Sequence, residues 1–377
     1  MIRTVLFDID GVLLSEERCF DASALAVWEL LHSPRYLGLS PEIFTPTIDE
    51  TEMRRIRSTV FCHDDVLNQL KSQGLNSNWD MVFLTFSYQL AHVLSQLEDK
   101  QLAEALQILE HLIDDQSLRD LAKLIPGNVQ LDFAAFLRAL PSLEIKKDEI
   151  ESFWSSLWQT LIGTNDIIDT KPFRSLWELG REVFQEWYVG EAFIEQSIGR
   201  KARQKGKKGF LHEEIPLAPV EDLNKLFQWL VDRGFRIGIG TGRPAVETFE
   251  PLSAIGLLQW VPSHAIVTAD DVLRAEKLVP EAGALGKPHP YTYLQSYFGK
   301  EKAPRDVLEV ALPMDVGEQI LIIGDSVADF YAARQMGARF AAVLTGLNGQ
   351  EAKTEFEQLG ADFILDRVID VLPLLSN

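Results

Sequence analysis

The chain has 377 residues, 46% of them hydrophobic and 24% charged, which suffices for two ordinary domains or one large domain with an insertion, and excludes general disorder. Acids outnumber bases 56 to 36, for a formal net charge of -20. No nucleic-acid or membrane-surface partner is expected, because both rest on clustered Lys and Arg. Two cysteines, Cys19 and Cys62, exclude a disulfide framework and a cysteine-rich zinc site.

The chain opens with a short apolar run over residues 3–9, Arg-Thr-Val-Leu-Phe-Asp-Ile, which reads as a buried strand stopped by Asp10-Gly11. Asp8 and Asp10 interrupt it long before a signal-peptide core could form. No stretch approaches the roughly 20 apolar residues of a membrane span. The expected location is the cytoplasm.

Residues 15–213 then give one helical pattern after another. Val60, Val66, Leu67 and Leu70 can share a face over 60–70. Residues 79–97 and 101–125 repeat the pattern, as do 149–161. Thr170 before Lys171-Pro172 has the form of an N-cap opening a helix through Trp187. Trp28, Trp79, Trp154, Trp158, Trp177 and Trp187 all fall in this block and are expected to pack between helices.

From residue 214 the pattern alternates. Leu223, Leu226, Phe227 and Leu230 mark a helix over 219–233, ended by Gly234. Strands are expected at 236–240, 265–268, 319–324, 339–344 and 362–365, with a helix from Ala328 to Met336 stopped at Gly337. Apolar strands alternating with amphipathic helices imply an α/β class, a parallel sheet covered on both faces. An all-helical block, 15–213, is thus inserted into an α/β domain made of 1–14 and 214–377. The insertion leaves after the first strand, beyond the C-terminal strand ends where ligands of open α/β folds bind, and is therefore expected to act as a cap.

Four segments of the α/β part end strands in polar residues. Asp8-Ile-Asp10-Gly11 sets two carboxylates at one strand end. They repel unless a cation such as Mg2+ lies between them or one is protonated, and Asp10 can instead cap a helix. Gly240-Thr241-Gly242-Arg243 forms a small-residue turn whose N–H groups suit an anion; a plain strand–turn–helix connection gives the same pattern. Lys287, between Gly286 and Pro288-His289-Pro290, is a point charge on a stiff turn, while His289 reads as an orienting residue. Asp325 and Asp329, in Gly-Asp-Ser-Val-Ala-Asp, can face one point from a strand end and the first turn of a helix, or serve as an N-cap and a first-turn charge.

In this order the four segments resemble the haloacid-dehalogenase-like (HAD) hydrolase superfamily. The resemblance implies a Rossmann-like three-layer α/β/α core with an inserted helical cap. It further implies a Mg2+-dependent phosphatase acting on a small phosphorylated substrate, with Asp8 as nucleophile forming an aspartyl-phosphate and Asp10 as acid and then base. Thr241, Gly242 and Lys287 would hold the phosphoryl group, and Asp8, Asp10, Asp325 and Asp329 the metal. An aspartate at position 10 argues against dehalogenation. A phosphomutase of the same superfamily, or a phosphate-responsive binding module without turnover, also fits the motifs. The insertion is longer than family caps usually are.

Against the acidic background, residues 199–209 carry Arg200, Lys201, Arg203, Lys205, Lys207 and Lys208 with no acid among them. Glycines flank and interrupt the run, which predicts a mobile loop, either simply solvated or drawing an anionic substrate to the site.

Overall fold

The computed structural model describes all residues except 73, 74, 76, 143–149, 164–170 and 377. It divides into two compact units, Met1–Glu17 with Leu211–Asn377, and Arg18–Phe210. The first crossing thus lies at Glu17 rather than residue 14, and the second at Leu211 rather than residue 214. A short backbone zipper lies beside both crossings inside the first unit: Ser15 donates to the Ile215 carbonyl (2.8 Å) and Leu217 to that of Leu13 (3.0 Å).

In the first unit, six parallel strands run β1 Thr4–Phe7, β2 Arg236–Gly240, β3 Ile266–Val267, β4 Ile320–Gly324, β5 Arg339–Val343 and β6 Phe363–Leu365. Their spatial order is β3-β2-β1-β4-β5-β6, with β1 central. Strand alternation fills two cores. Val5, Phe7, Leu321 and Ile323 meet Leu223, Leu226, Phe227 and Leu230 of the helix Val220–Asp232 on one face, where Phe7 stacks on Phe227 at 4.8 Å. Leu6, Ile320 and Ile322 meet Tyr293, Leu294, Phe330 and Met336 on the other. The helix Val327–Met336 stops at Gly337, whose φ of 71° lets its N–H reach back to Ala333 and Arg334.

The sequence Arg-Ile-Gly-Ile-Gly of β2 has a steric reason. Ile237 and Ile239 fill the first core, while the glycines face the helix Tyr291–Phe298. A Cβ on Gly238 would lie 2.3 Å from Ser296 Oγ, and one on Gly240 2.8 Å from the Tyr293 ring. Gly238→Ala is therefore expected to lower stability by about 1–3 kcal/mol through overpacking, measured by urea unfolding of the purified protein.

The second unit is helical. Ser77 caps the helix Asn78–Leu94, which packs against Ile150–Ile162 and Lys171–Ile198. Two expectations are corrected. Residues 60–70 are not one helix: Glu50–Val60 and Asp65–Ser72 are separated by Cys62, His63 and Asp64, all left-handed with φ of 48°, 58° and 73°. Arg57 grips the Asp64 carboxylate with two hydrogen bonds of 2.9 and 2.8 Å, holding that turn. Residues 101–125 form Asp99–Leu109 and Asp115–Ala122, because Asp114 starts a new capping box with Ser117. The expected cap at Thr170 lies outside the described residues. Trp28, Trp158 and Trp187 are buried, and Trp79 meets Trp177 edge-on at 5.8 Å.

His32 ends the helix Glu17–His32, buried, with its ring 4.2 Å from that of Trp28 and neither ring nitrogen hydrogen-bonded. Burial pushes its pKa down from 6.5 to about 4, with Glu42 opposing and Arg55 reinforcing the shift. A depressed histidine is neutral in the folded chain while the unfolded chain takes up a proton. Stability is therefore full above pH 6.5 and falls as the pH drops toward 4. The loss should reach about 3 kcal/mol at about 1.36 kcal/mol per unit. Unfolding curves of wild type and His32→Leu across that window should show this slope in the wild type and a flatter one in the variant.

Candidate active site

The site is built where β1, β2 and β4 end. Phe7 is the last residue of β1, and the Asp8 N–H still bonds the Ile323 carbonyl of β4 (3.0 Å), so the Asp8 side chain is fixed by the sheet itself. Its Oδ1 accepts from the Ile9 N–H (2.8 Å) and from Lys287 Nζ (2.9 Å). Lys287 also reaches Asp329 Oδ1 at 2.8 Å, and its Nζ lies 4.9 Å from the centre of the Tyr293 ring. Asp329, fully buried, is completed by Tyr293 O–H (2.7 Å) and Ser326 O–H (2.6 Å). Ser326, not Asp325, is the N-cap of the helix Val327–Met336; its Oγ accepts the Asp329 N–H.

Asp325 is released from capping and turns to the same point. Carboxylate oxygens of Asp8, Asp325 and Asp329 lie within 4.8 Å of one another. Backbone closes on Asp325 from both sides: a Cβ on Gly11 or on Gly346 would lie 2.0 Å from its Oδ2, and Gly11 has φ 68°. Thr345 Oγ1 donates to the Gly11 carbonyl at 2.6 Å and ties those two turns together.

The electrostatics follow from crowding. Burial raises the Asp8 carboxyl to about 7, with Lys287 opposing and Asp329 and Asp10 adding repulsion. Burial, then Asp329 and Asp8, hold Asp325 well above the carboxylate range. Burial works against the charge of Asp329, yet Lys287, Ser326 and Tyr293 together hold it below the usual value. Lys287 is itself raised, since the two carboxylates outweigh its burial. Among the described residues no basic side chain pairs with Asp325. Three hard carboxylate donors, of which only Asp8 and Asp329 share the ammonium of Lys287, are the donor type a small divalent cation prefers, so the residues fit a Mg2+-type ion.

Thr241 follows β2, buried, with its N–H on the Val267 carbonyl (3.0 Å) and its Oγ1 accepting the Arg243 N–H (3.1 Å). Gly242 is exposed beside it. Asp10 leaves the cluster: its Oδ1 is gripped by Arg243 through Nε (2.9 Å) and Nη2 (2.6 Å). His289 keeps an orienting place, its Nδ1 accepting the Tyr291 N–H at 3.1 Å.

A family model described as HAD-hydrolase-like matches residues 284–371. That stretch holds Lys287, Asp325 and Asp329, three of the residues just assembled with Asp8. The match places this part of the chain among the HAD-like hydrolases. Among curated relatives, a phosphoglycolate phosphatase of Nitrosococcus oceani is 29% identical over 157 residues, 41% of this chain and 56% of that one. A pyrophosphatase PpaX of Bacillus cereus is 27% identical over 168 residues, 44% of this chain and 63% of that one. The chain thus spans under two thirds of the length of each. A crystal structure solved as a Northeast Structural Genomics Consortium target is 35% identical, with a TM-score of 0.90 over 100% of this chain and 99% of that one, so its fold is shared through the inserted unit.

Several residues escape sequence reading. Arg243 stood in the quoted turn, but nothing in Thr-Gly-Arg says that its guanidinium returns to Asp10. Tyr293 follows Lys287 by six positions and reads as helix core; its hydroxyl on Asp329 depends on the packing of its helix. Thr345 and Gly346 lie after β5, outside any motif singled out.

In the basic run of 199–209, Arg200, Arg203 and Lys207 are tied to acids. Arg203 pairs with Glu182 (2.6 Å) and with Asp115, and Arg200 with Glu182. Lys207 is buried between Glu29 (2.6 Å) and Glu186 (3.0 Å), its Nζ 5.0 Å from the centre of the Trp187 ring. Gly190 and Gly209, at φ 75° and 80°, let the two backbones touch where a Cβ would come within 2.4–2.7 Å. The acids of the second unit, absent from the run itself, hold these three bases in place. Lys201, Lys205 and Lys208 are exposed.

Removing the shared ammonium leaves two buried carboxylates facing each other. Lys287→Met is expected to lower stability by about 3–5 kcal/mol, read from guanidinium unfolding at pH 7, whereas Lys353→Met on the exposed surface should leave it nearly unchanged.

Proposed function

We propose that this chain is a Mg2+-dependent phosphatase that hydrolyses a small phosphomonoester through an aspartyl-phosphate on Asp8. The observation that supports this best is the single point shared by Asp8, Lys287, Asp325 and Asp329. Asp8 is held by the sheet with an oxygen toward the cluster. Asp10, two residues on, stands apart with 35% of its side chain exposed, as a group that exchanges protons must.

In this reading the Asp8 carboxylate attacks phosphorus. The new bond is Asp8 Oδ–P, the bond that breaks is P–O to the leaving group, and that oxygen takes its proton from Asp10. Water then attacks the same phosphorus and gives its proton to Asp10. The Asp8–P bond breaks, releasing phosphate and restoring both carboxyl groups. Thr241, Gly242 and Lys287 are the donors for the phosphoryl oxygens. Asp8, the carbonyl of Asp10, Asp325 and Asp329 would hold the Mg2+, whose charge offsets the repulsion between nucleophile and phosphate. The inserted unit, joined to the chain a few residues after Asp10, is read as the selector of substrate. The location in this reading is the cytoplasm, with which two cysteines outside any disulfide agree; no described helix is long and apolar enough to cross a membrane.

The names of the curated relatives make phosphoglycolate and pyrophosphate the first compounds to try, beside a panel of sugar and alkyl phosphates. Phosphate release should require Mg2+, stop on EDTA and return when Mg2+ is restored. Asp8→Asn should abolish it by at least about a thousandfold. Turnover that survives in Asp8→Asn sinks the assignment of the nucleophile.

A further inference from the structure

Arg243 is among the most constrained side chains of the first unit. Its backbone N–H bonds Thr241 Oγ1 (3.1 Å) and its carbonyl accepts the Ala269 N–H (2.9 Å). Its guanidinium, 5% exposed, is held at the far end by Glu214 Oε1 (2.7 Å) and by the Glu247 carbonyl (3.3 Å). Glu214 is itself buried, with 1% of its side chain exposed. What remains of the fork, Nε and Nη2, converges on one oxygen of Asp10, Oδ1. Among the described residues nothing else bonds that carboxylate, and Oδ2 has no partner.

Arginine–carboxylate pairs are frequently bidentate, each nitrogen taking its own oxygen. Here two nitrogens take one oxygen and leave the other open. Asp10 follows a strand end by three residues, its backbone bridged to Leu14, while its two χ angles would otherwise be free. We infer that Arg243, locked by Glu214, is the positioning residue of Asp10: it fixes Oδ1 so that Oδ2 is presented to the leaving oxygen and then to water. The inference rests on the phosphatase reading for its consequence, and on the Glu214–Arg243–Asp10 chain for its geometry. Glu214 also sits next to Ile215, which is zipped to Ser15. The acid is thereby referenced to both ends of the inserted segment.

A positioning role and a merely structural one differ in what they do to different leaving groups. Proton donation matters for an alkoxide and little for p-nitrophenolate, so misplacing Oδ2 should select between them. We would measure kcat and KM for an alkyl phosphate and for p-nitrophenyl phosphate in wild type, Arg243→Met, Arg243→Lys, Glu214→Gln, Asp10→Asn and the Asp10→Asn/Arg243→Met pair. The expected result is a loss of kcat of roughly a hundredfold on the alkyl ester and under about threefold on p-nitrophenyl phosphate for Arg243→Met, with KM little changed. Arg243→Lys and Glu214→Gln, which keep charge or shape, should fall between. Arg243→Met should add nothing once Asp10 is Asn, since the two act as one unit. Equal losses on both esters, or full additivity in the pair, would overturn the inference. A crystal structure of Arg243→Met, or of Glu214→Gln if the former does not fold, supplies an arm that needs no turnover: Asp10 Oδ1 remaining at its present place overturns the positioning role. Absence of phosphate release in the wild type with Mg2+ would instead overturn the phosphatase reading, and leaves the crystallographic arm to decide on Arg243.

Discussion

Three carboxylates converge on a point where water is scarce, and one ammonium stands among them. The rest of the first unit can be understood as what makes this arrangement tolerable. Lys287 satisfies Asp8 and Asp329 at once, and Tyr293 and Ser326 complete Asp329 with neutral donors. Asp325 receives no such relief, and burial with its neighbours drives it toward the protonated form. Charge of like sign held together by a folded frame is unstable by itself, and is relieved by protonation or by a cation. The chain's net charge of -20 therefore says little about the site, whose balance is decided by one lysine and whatever ion joins it.

Such crowding needs backbone where side chains would ordinarily stand. Gly11 and Gly346 flank Asp325, Gly324 faces Asp329, and Gly240 faces Tyr293, each at a separation no Cβ could share. Tight carboxylate spacing and glycine at these positions are one requirement: the acids approach because the intervening atoms are missing. The central position of β1 serves the same end. It is hydrogen-bonded to β2 and β4 on either side, so that Asp8 emerges between the turns carrying Thr241 and Asp325.

What could be read from sequence follows a physical division. Strands such as Ile320–Gly324 are legible because they are apolar on both faces, and Asp8, Asp325 and Lys287 because they fall in order at strand ends and turns as a set, although each alone could cap a helix or sit on an exposed turn. Helix breaks were less legible. The apolar spacing of Val60, Val66 and Leu70 continues through Cys62–Asp64 because both flanking helices bury the same face of the second unit, while the left-handed turn is set by Arg57 reaching Asp64. The basic run misled for a related reason: composition within the run shows no acid, and the acids that hold it, Glu29, Asp115, Glu182 and Glu186, arrive from elsewhere in the chain. Arg243 belongs to the same class, a local residue with a distant partner, and distant partners are what a linear reading lacks.

The zipper between residues 13–15 and 215–217 has a consequence for the economy of chain entropy. It closes the ring from which the whole inserted unit departs, so the core contributes two hydrogen bonds to hold together the ends of a loop of about two hundred residues. Closure entropy grows only with the logarithm of loop length, by about 0.6 kcal/mol for each doubling. Beyond the first few dozen residues, further length between these anchor points is nearly neutral for the core. An insertion there is free to grow, acquire helices and a buried interior of its own, and change its contents without the sheet registering the difference.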